Sequence, residues 1–133
     1  MRPILLGLVG LVLSISPAAA VQEIDFHIAT AEDLIDVCST AISDPLYAAA
    51  ANFCQGYVVG AYQTYEASIA EGKRKAFVCL PTPAPNRNEG IAHLVAWAKE
   101  HPEYKNENPI NFFFKFLTEK WPCPSGAPRT GAK

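Results

Sequence analysis

The sequence predicts an all-helical domain: a small, disulfide-stapled bundle of about four helices. Three observations carry that expectation. Apolar residues recur at steps of three and four along most of the chain, which lays an apolar stripe down one side of each helix. The segments open on capping residues and close on glycine or proline. Four cysteines, Cys38, Cys54, Cys79 and Cys123, stand in a chain too short to bury a large core.

Residues Met1 to Ala20 read as a secretory signal peptide. One positive charge, Arg2, precedes an apolar run from Ile4 to Ile15, and Ser16-Pro17-Ala18-Ala19-Ala20 supplies an Ala-x-Ala-like cleavage site. The apolar run is shorter than a bilayer span requires, and Pro17 prevents its extension toward Ala20. Cleavage after Ala20 leaves one domain, 21–123, and a Gly/Pro-rich tail, 124–133, expected to be disordered. Loss of Arg2 takes the formal net charge from −2 to −3. So mild an acidic balance points to neither nucleic acid nor an anionic membrane surface as partner.

Export to an oxidising compartment turns the four cysteines into two expected disulfides. Zinc is disfavoured, because there is no Cys-x-x-Cys pair and no histidine at ligand spacing. Three pairings are open. Cys38–Cys54 with Cys79–Cys123 is preferred, since the first pair flanks one turn and the second ties the late chain together.

Taken in order, Ile24, Phe26 and Ile28 alternate in a short lead-in. Thr30 caps a first helix with acids in its first turn and Leu34, Ile35 and Cys38 on its buried side. Ser39 to Asp44 is a turn. A long central helix then runs from Pro45 to Glu71, with Asp44 as cap, Pro45 at the first helical position and Gly72 as the stop. Leu46, Ala49, Ala50, Phe53, Cys54, Tyr57, Val58, Ala61, Tyr65 and Ile69 form its stripe. Within it, Gly56 and Gly60 each cost about 1 kcal/mol against alanine, which suggests a glycine face packed closely on a neighbour.

Lys73-Arg74-Lys75 reads as a solvated turn, and Phe77 to Pro81 as an extended apolar segment lying across the helices. Thr82 to Arg87 is loop. Asn88 opens a third helix with Ile91, Leu94, Val95 and Ala98 on its stripe, and His101-Pro102 ends it. Glu103 to Asn108 is a polar connector. Asn108-Pro109 starts a fourth helix whose expected apolar face is Ile110, Phe113, Phe114, Leu117 and Trp121.

Signatures of chemistry are missing. There is no Gly-x-Ser-x-Gly, no phosphate-cradling glycine loop and no His-Glu-x-x-His, and His27, His93 and His101 are scattered. Tyr57 reads as a core residue whose hydroxyl needs a partner. The expectation is no enzyme, no catalytic residue, no metal and no cofactor.

Cys54-Gln55-Gly56-Tyr57-Val58-Val59-Gly60 resembles the Cys-x-Gly-Tyr-x-x-Gly signature of the Rap/Tai family of type VI secretion immunity proteins. Cys38 at the end of a first helix, Cys79-Leu80-Pro81, His101-Pro102-Glu103 and Trp121-Pro122-Cys123 follow the same frame in order, over about residues 34–123. Gln63 and Thr64 occupy a region where the family commonly has an aspartate. The resemblance implies a periplasmic, non-catalytic helical protein that binds and blocks a toxic effector. Cognate effectors in the family are often amidases that cut the peptide stems of the cell wall. Its partner would be that protein effector, with a homodimer also open and no membrane span after cleavage. A second resemblance, to small disulfide-linked acid-stress chaperones of the HdeA kind, implies instead a fold that loosens in acid.

An inhibitor of an enzyme cleft needs a projecting segment held at both ends. Glu103, Tyr104, Lys105, Asn106 and Glu107 meet that description between Pro102 and Pro109, with Tyr104 as the natural anchor. The Lys73–Lys75 turn with the Thr82–Arg87 loop is the second candidate surface.

Overall fold

A computed structural model describes residues 26–124. The segment read as a signal peptide, the first residues of the lead-in and the tail expected to be disordered lie outside the described residues, apart from Pro124. Four helices follow in order: α1 (Ala31–Cys38), α2 (Tyr47–Ala70), α3 (Arg87–Glu100) and α4 (Pro109–Lys120). The all-helical class is as expected. No helix among the described residues is long and apolar enough to cross a membrane.

Helix α1 begins as the sequence reads. Thr30 Oγ1 accepts from the Asp33 N–H, and the Asp33 carboxylate accepts from the N–H groups of Thr30 at 2.8 Å and Ala29 at 3.0 Å. Those bonds, Thr30 first, hold the Asp33 carboxyl below its ordinary value. A carboxylate whose pKa is depressed in the fold stabilises it above the unfolded pKa, and loses that effect as pH falls through the folded value. Asp33→Asn should therefore cost about 1 kcal/mol at neutral pH, and the gap to the parent should close in strong acid. Urea midpoints at pH 7 and near pH 2 check this; an equal gap at both would contradict it.

Helix α2 starts later than Pro45. The Asp44 carboxylate accepts from the Leu46 N–H at 2.8 Å, but the Tyr47 N–H returns to the Asp44 carbonyl. That three-residue closure makes a turn, and the helix proper opens only at Tyr47. Its end is as expected. Gly72 adopts a left-handed φ of 72°, and the N–H groups of Gly72 and Lys73 bond the carbonyls of Ile69 and Ser68. This is the six-to-one and five-to-two pattern of a Schellman stop. Ala50, Cys54, Val58, Tyr65 and Ile69 are buried along its inner side.

The glycine expectation fails. Gly56 and Gly60 are exposed, and a Cβ placed on either meets nothing within 4 Å. The stripe that packs inward is the one through Cys54, Val58 and Tyr65; the glycines sit round the helix from it. With room for a methyl and helical backbone throughout, Gly56→Ala and Gly60→Ala should each stabilise by about 0.5–1 kcal/mol. A fall in melting temperature for both would mean that a close contact had been missed.

Helix α3 opens before Asn88. Asn86 Oδ1 accepts from the Glu89 N–H at 3.0 Å, and Glu89 Oε2 accepts from the Asn86 N–H at 2.9 Å. This capping box places Arg87 inside the helix. Its buried residues are Leu94 and Trp97. Trp97 is absent from the predicted stripe, although it lies three beyond Leu94 and four before His101.

Helix α4 is rotated from the predicted face. Phe112, Phe113, Phe116 and Leu117 are buried, whereas Ile110 is 37% exposed and Phe114 half-buried. The central aromatic run Phe112-Phe113-Phe114 carries no polar residue to mark a side. Packing against α1 and α3 chooses it instead.

The main core gathers Val58, Tyr65, Leu94, Trp97, Phe112, Phe113, Phe116 and Leu117 between α2, α3 and α4. A smaller cluster of Val37, Ala50 and Cys54 sits under the α1–α2 turn with Phe26, Ile28 and Phe53 against it. Both preferred cysteine pairs are disulfides, Cys38–Cys54 and Cys79–Cys123. The segment expected to lie extended across the helices does so. Val78 bridges Pro122, the Cys79 N–H bonds the Trp121 carbonyl at 2.9 Å, and the Tyr65 hydroxyl accepts from the N–H groups of Phe77 at 2.8 Å and Val78 at 2.9 Å.

Candidate binding surface

The connector between α3 and α4 does two structural tasks with its backbone. Pro102–Tyr104 forms a 3-10 turn, after which the carbonyls of Lys105 and Glu107 accept from the N–H groups of Glu32 and Ala31, both at 2.9 Å. Those N–H groups belong to the first turn of α1 and have no partner within their own helix. The connector thus seats the N-terminus of α1. Asn108 then caps α4, its side chain accepting from the N–H groups of Ile110 and Asn111.

Its side chains divide into two sets. Glu103, Lys105 and Asn106 are exposed. Tyr104, by contrast, is half-buried and stacks on the rings of Trp97 and His101, with Lys115 Nζ 4.0 Å from its own ring centroid. Tyr104, read from sequence as the anchor of a projecting segment, thus also seals the edge of the aromatic core with its ring. Glu107, also half-buried, pairs with Lys115. Lys105 lies 3.6 Å from Glu32.

His101 holds the turn from the other side. Its Nδ1 is 3.2 Å from Glu103 and its Nε2 3.6 Å from Glu119, while its ring lies 4.3 Å from that of Trp97. The Glu103 carboxyl is held below the usual range, by its own backbone N–H first and by His101 second. Sequence reading finds the residues of this turn but misses the stack behind it. The i, i+3, i+4 spacing of Leu94, Trp97, Ala98 and His101 is the signal that points to it. Beside the turn, Ile110, Asn111, Phe114, Lys115 and Thr118 of α4 continue the surface into a broad groove that reaches Arg74 and Phe77.

A second concavity lies across α4 from that groove. Val58, Leu94, Phe113, Phe116 and Leu117, all buried, make its floor. Val59 and Tyr62 of α2 form one wall and Leu80 and Trp121 the other, with Arg87 and Gly90 of α3 at the edge. The cleft holds about 150 Å³ and its lining is almost wholly carbon. Burial, then Glu66, pushes the Tyr62 phenol up to about 12. Of the second candidate surface, Arg87 belongs here, whereas Arg74 lies on the other groove and Lys73 pairs with Glu71.

Tyr57, read from sequence as a core residue, is half-buried and stacks on Phe53. Burial raises its phenol above the usual value. Gly56 and Gly60, from the same signature, lie on the exposed side.

The sequence profile of the Rap1a immunity proteins matches residues 30–123, nearly all of the described chain. The chain belongs to that family. Both disulfides, the signature around Cys54 and the turn at His101 all fall inside the matched span. No curated protein and no solved structure matches the chain. By family, then, it is one of the Rap1a immunity proteins.

Proposed function

We propose that this Rap1a immunity protein acts in the periplasm, where it binds a toxic effector and covers its active-site cleft. The effector we propose is an amidase that cuts the peptide stems of the cell wall. One observation carries the reading: the family match spans the whole stapled domain. Two disulfides suit an oxidising compartment, and the apolar run before Ala20 suits export. The chain's part is occlusion, with no chemistry of its own.

The contact surface we propose is the connector from Glu103 to Glu107 with the adjoining groove on α4. Its backbone is fixed at both ends, so little ordering is required on binding. Glu103, Lys105 and Asn106 offer exposed polar groups, and Tyr104 with Ile110 offers apolar area beside them. Because Tyr104 and Glu107 also support the fold, the discriminating variant changes only the exposed residues. Glu103→Ala, Lys105→Ala and Asn106→Ala together should weaken effector binding by about tenfold or more while the melting temperature stays put. Unchanged affinity would move the contact elsewhere.

The function itself is tested in cells that export a cell-wall amidase of the class proposed as its effector. Such cells should lyse, co-expression of the full chain should restore growth, and a version lacking residues 1–20 should not. Lysis undiminished by the full chain would overturn the reading.

A further inference from the structure

The cleft on the far side of α4 has features that the fold does not require. Its floor is rigid core, with Leu94 and Phe116 each 1% exposed, so it is a fixed depression in a packed surface. Gly90 stands at its edge in the first turns of α3, where glycine costs stability against alanine. Nothing lies within 4 Å of a Cβ placed there, so no packing contact within the fold calls for the missing side chain. The missing side chain leaves open space at a residue that lines the cleft.

Size and charge indicate the occupant. An apolar cavity of roughly 150 Å³ takes a benzene-sized group, which is one aromatic or branched aliphatic side chain and too little for a lipid tail. Arg87 at the edge is exposed and forms no ion pair among the described residues. The N-terminus of α3 is already occupied by its own Asn86–Glu89 capping box, so the positive charge at this edge is that of Arg87.

We propose that this cleft is an anchor pocket for a single apolar side chain of a protein partner, and that Arg87 pairs with a carboxylate next to that side chain. The partner's chemistry is thus an apolar residue, aromatic or branched, flanked by an acidic group. That the partner is a protein rests on the immunity reading; the pocket's own selectivity does not. The site lies on the opposite side of α4 from the connector, so the two surfaces are separable by mutation.

N-acetyl-L-phenylalanine, which joins an apolar side chain to a carboxylate, is the minimal probe, and its amide removes the charge. Binding to the isolated protein is followed by the NMR shifts of the Trp121 indole and the Leu94 methyls. The carboxylate should bind saturably with a dissociation constant on the order of millimolar. The amide should bind about threefold more weakly, and Arg87→Gln should erase that difference. Gly90→Leu should abolish binding of both while the protein stays folded, and Gly90→Ala should weaken it if the leucine variant fails to fold. Absence of saturable shifts, equal binding of acid and amide, or full binding by both Gly90 variants would overturn the proposal. Tighter binding of octanoate than of the amino-acid probe would also overturn it, and give the cleft to a lipid. Protection of cells by the chain without any probe binding would leave the immunity reading standing and remove this one alone.

Discussion

Replacing Cys79 and Cys123 together by alanine should lower stability by about 4 kcal/mol. The bond closes a loop 44 residues long, and on the loop-closure account a cross-link of that span withdraws about that much from the unfolded chain. Domains of this size hold roughly 5–15 kcal/mol in all, so the loss is a large share. It also has a defined location. Cys79 follows the Val78–Pro122 bridge and precedes Leu80, and Cys123 follows Trp121 by two; Leu80 and Trp121 together wall the apolar cleft. The variant should therefore unfold at much lower urea and lose probe binding first. The Cys38–Cys54 loop of 16 residues is worth about 3 kcal/mol on the same reasoning. A Cys79→Ala/Cys123→Ala protein with a midpoint near that of the parent would show that the extended segment and the end of α4 stay together without the bond.

Tyr65→Phe should cost about 2–4 kcal/mol, an unusual amount for the loss of one oxygen. The Tyr65 hydroxyl accepts from the backbone N–H groups of Phe77 and Val78, and Tyr65 and Val78 are 5% exposed. Phenylalanine keeps the ring contacts with Phe77 and Phe114 but leaves two donors without an acceptor, the Val78 N–H buried and the Phe77 N–H partly so. Each such donor costs about 1–3 kcal/mol. Amide exchange should show the source: protection at Phe77 and Val78 should drop far more than protection in α3. A change under about 0.5 kcal/mol would mean that the segment finds other acceptors.

Much of the fold is legible in the residues because local signals and packing agree there. The Thr30–Asp33 cap, the Gly72 stop and the Asn108-Pro109 start are short-range features with few competing solutions, and four cysteines leave only three pairings to choose among. Reading fails where a local signal permits two outcomes. Asp44 can cap a helix or close a turn, and here it closes a turn first. Asn86 and Asn88 are both possible caps, and only the Glu89 three residues past Asn86 settles the choice. In α4 the Phe112–Phe114 run is apolar all round, so the buried side depends on neighbours the chain order does not reveal.

The glycines mark a deeper limit. A helical glycine signals that a side chain is unwanted, but not whether the excluded volume belongs to the fold or to something outside it. At Gly56, Gly60 and Gly90 the fold itself leaves the space open. The connector shows the converse. Its polar, proline-braced sequence reads as a projecting connector, yet its carbonyls seat α1 and its tyrosine covers Trp97. Both errors come from reading a segment without the surface that faces it.

The central claim is that this Rap1a immunity protein works by binding and covering an effector. The measurement that bears on it most directly is a titration of the purified chain against the amidase proposed as its effector, following release of peptide stems from cell-wall murein. Stem release should fall in proportion to added chain and stop near one chain per enzyme, and full activity should return when the two are separated. Undiminished hydrolysis in excess chain would contradict the account, as would an amidase left permanently inactive after the chain is removed.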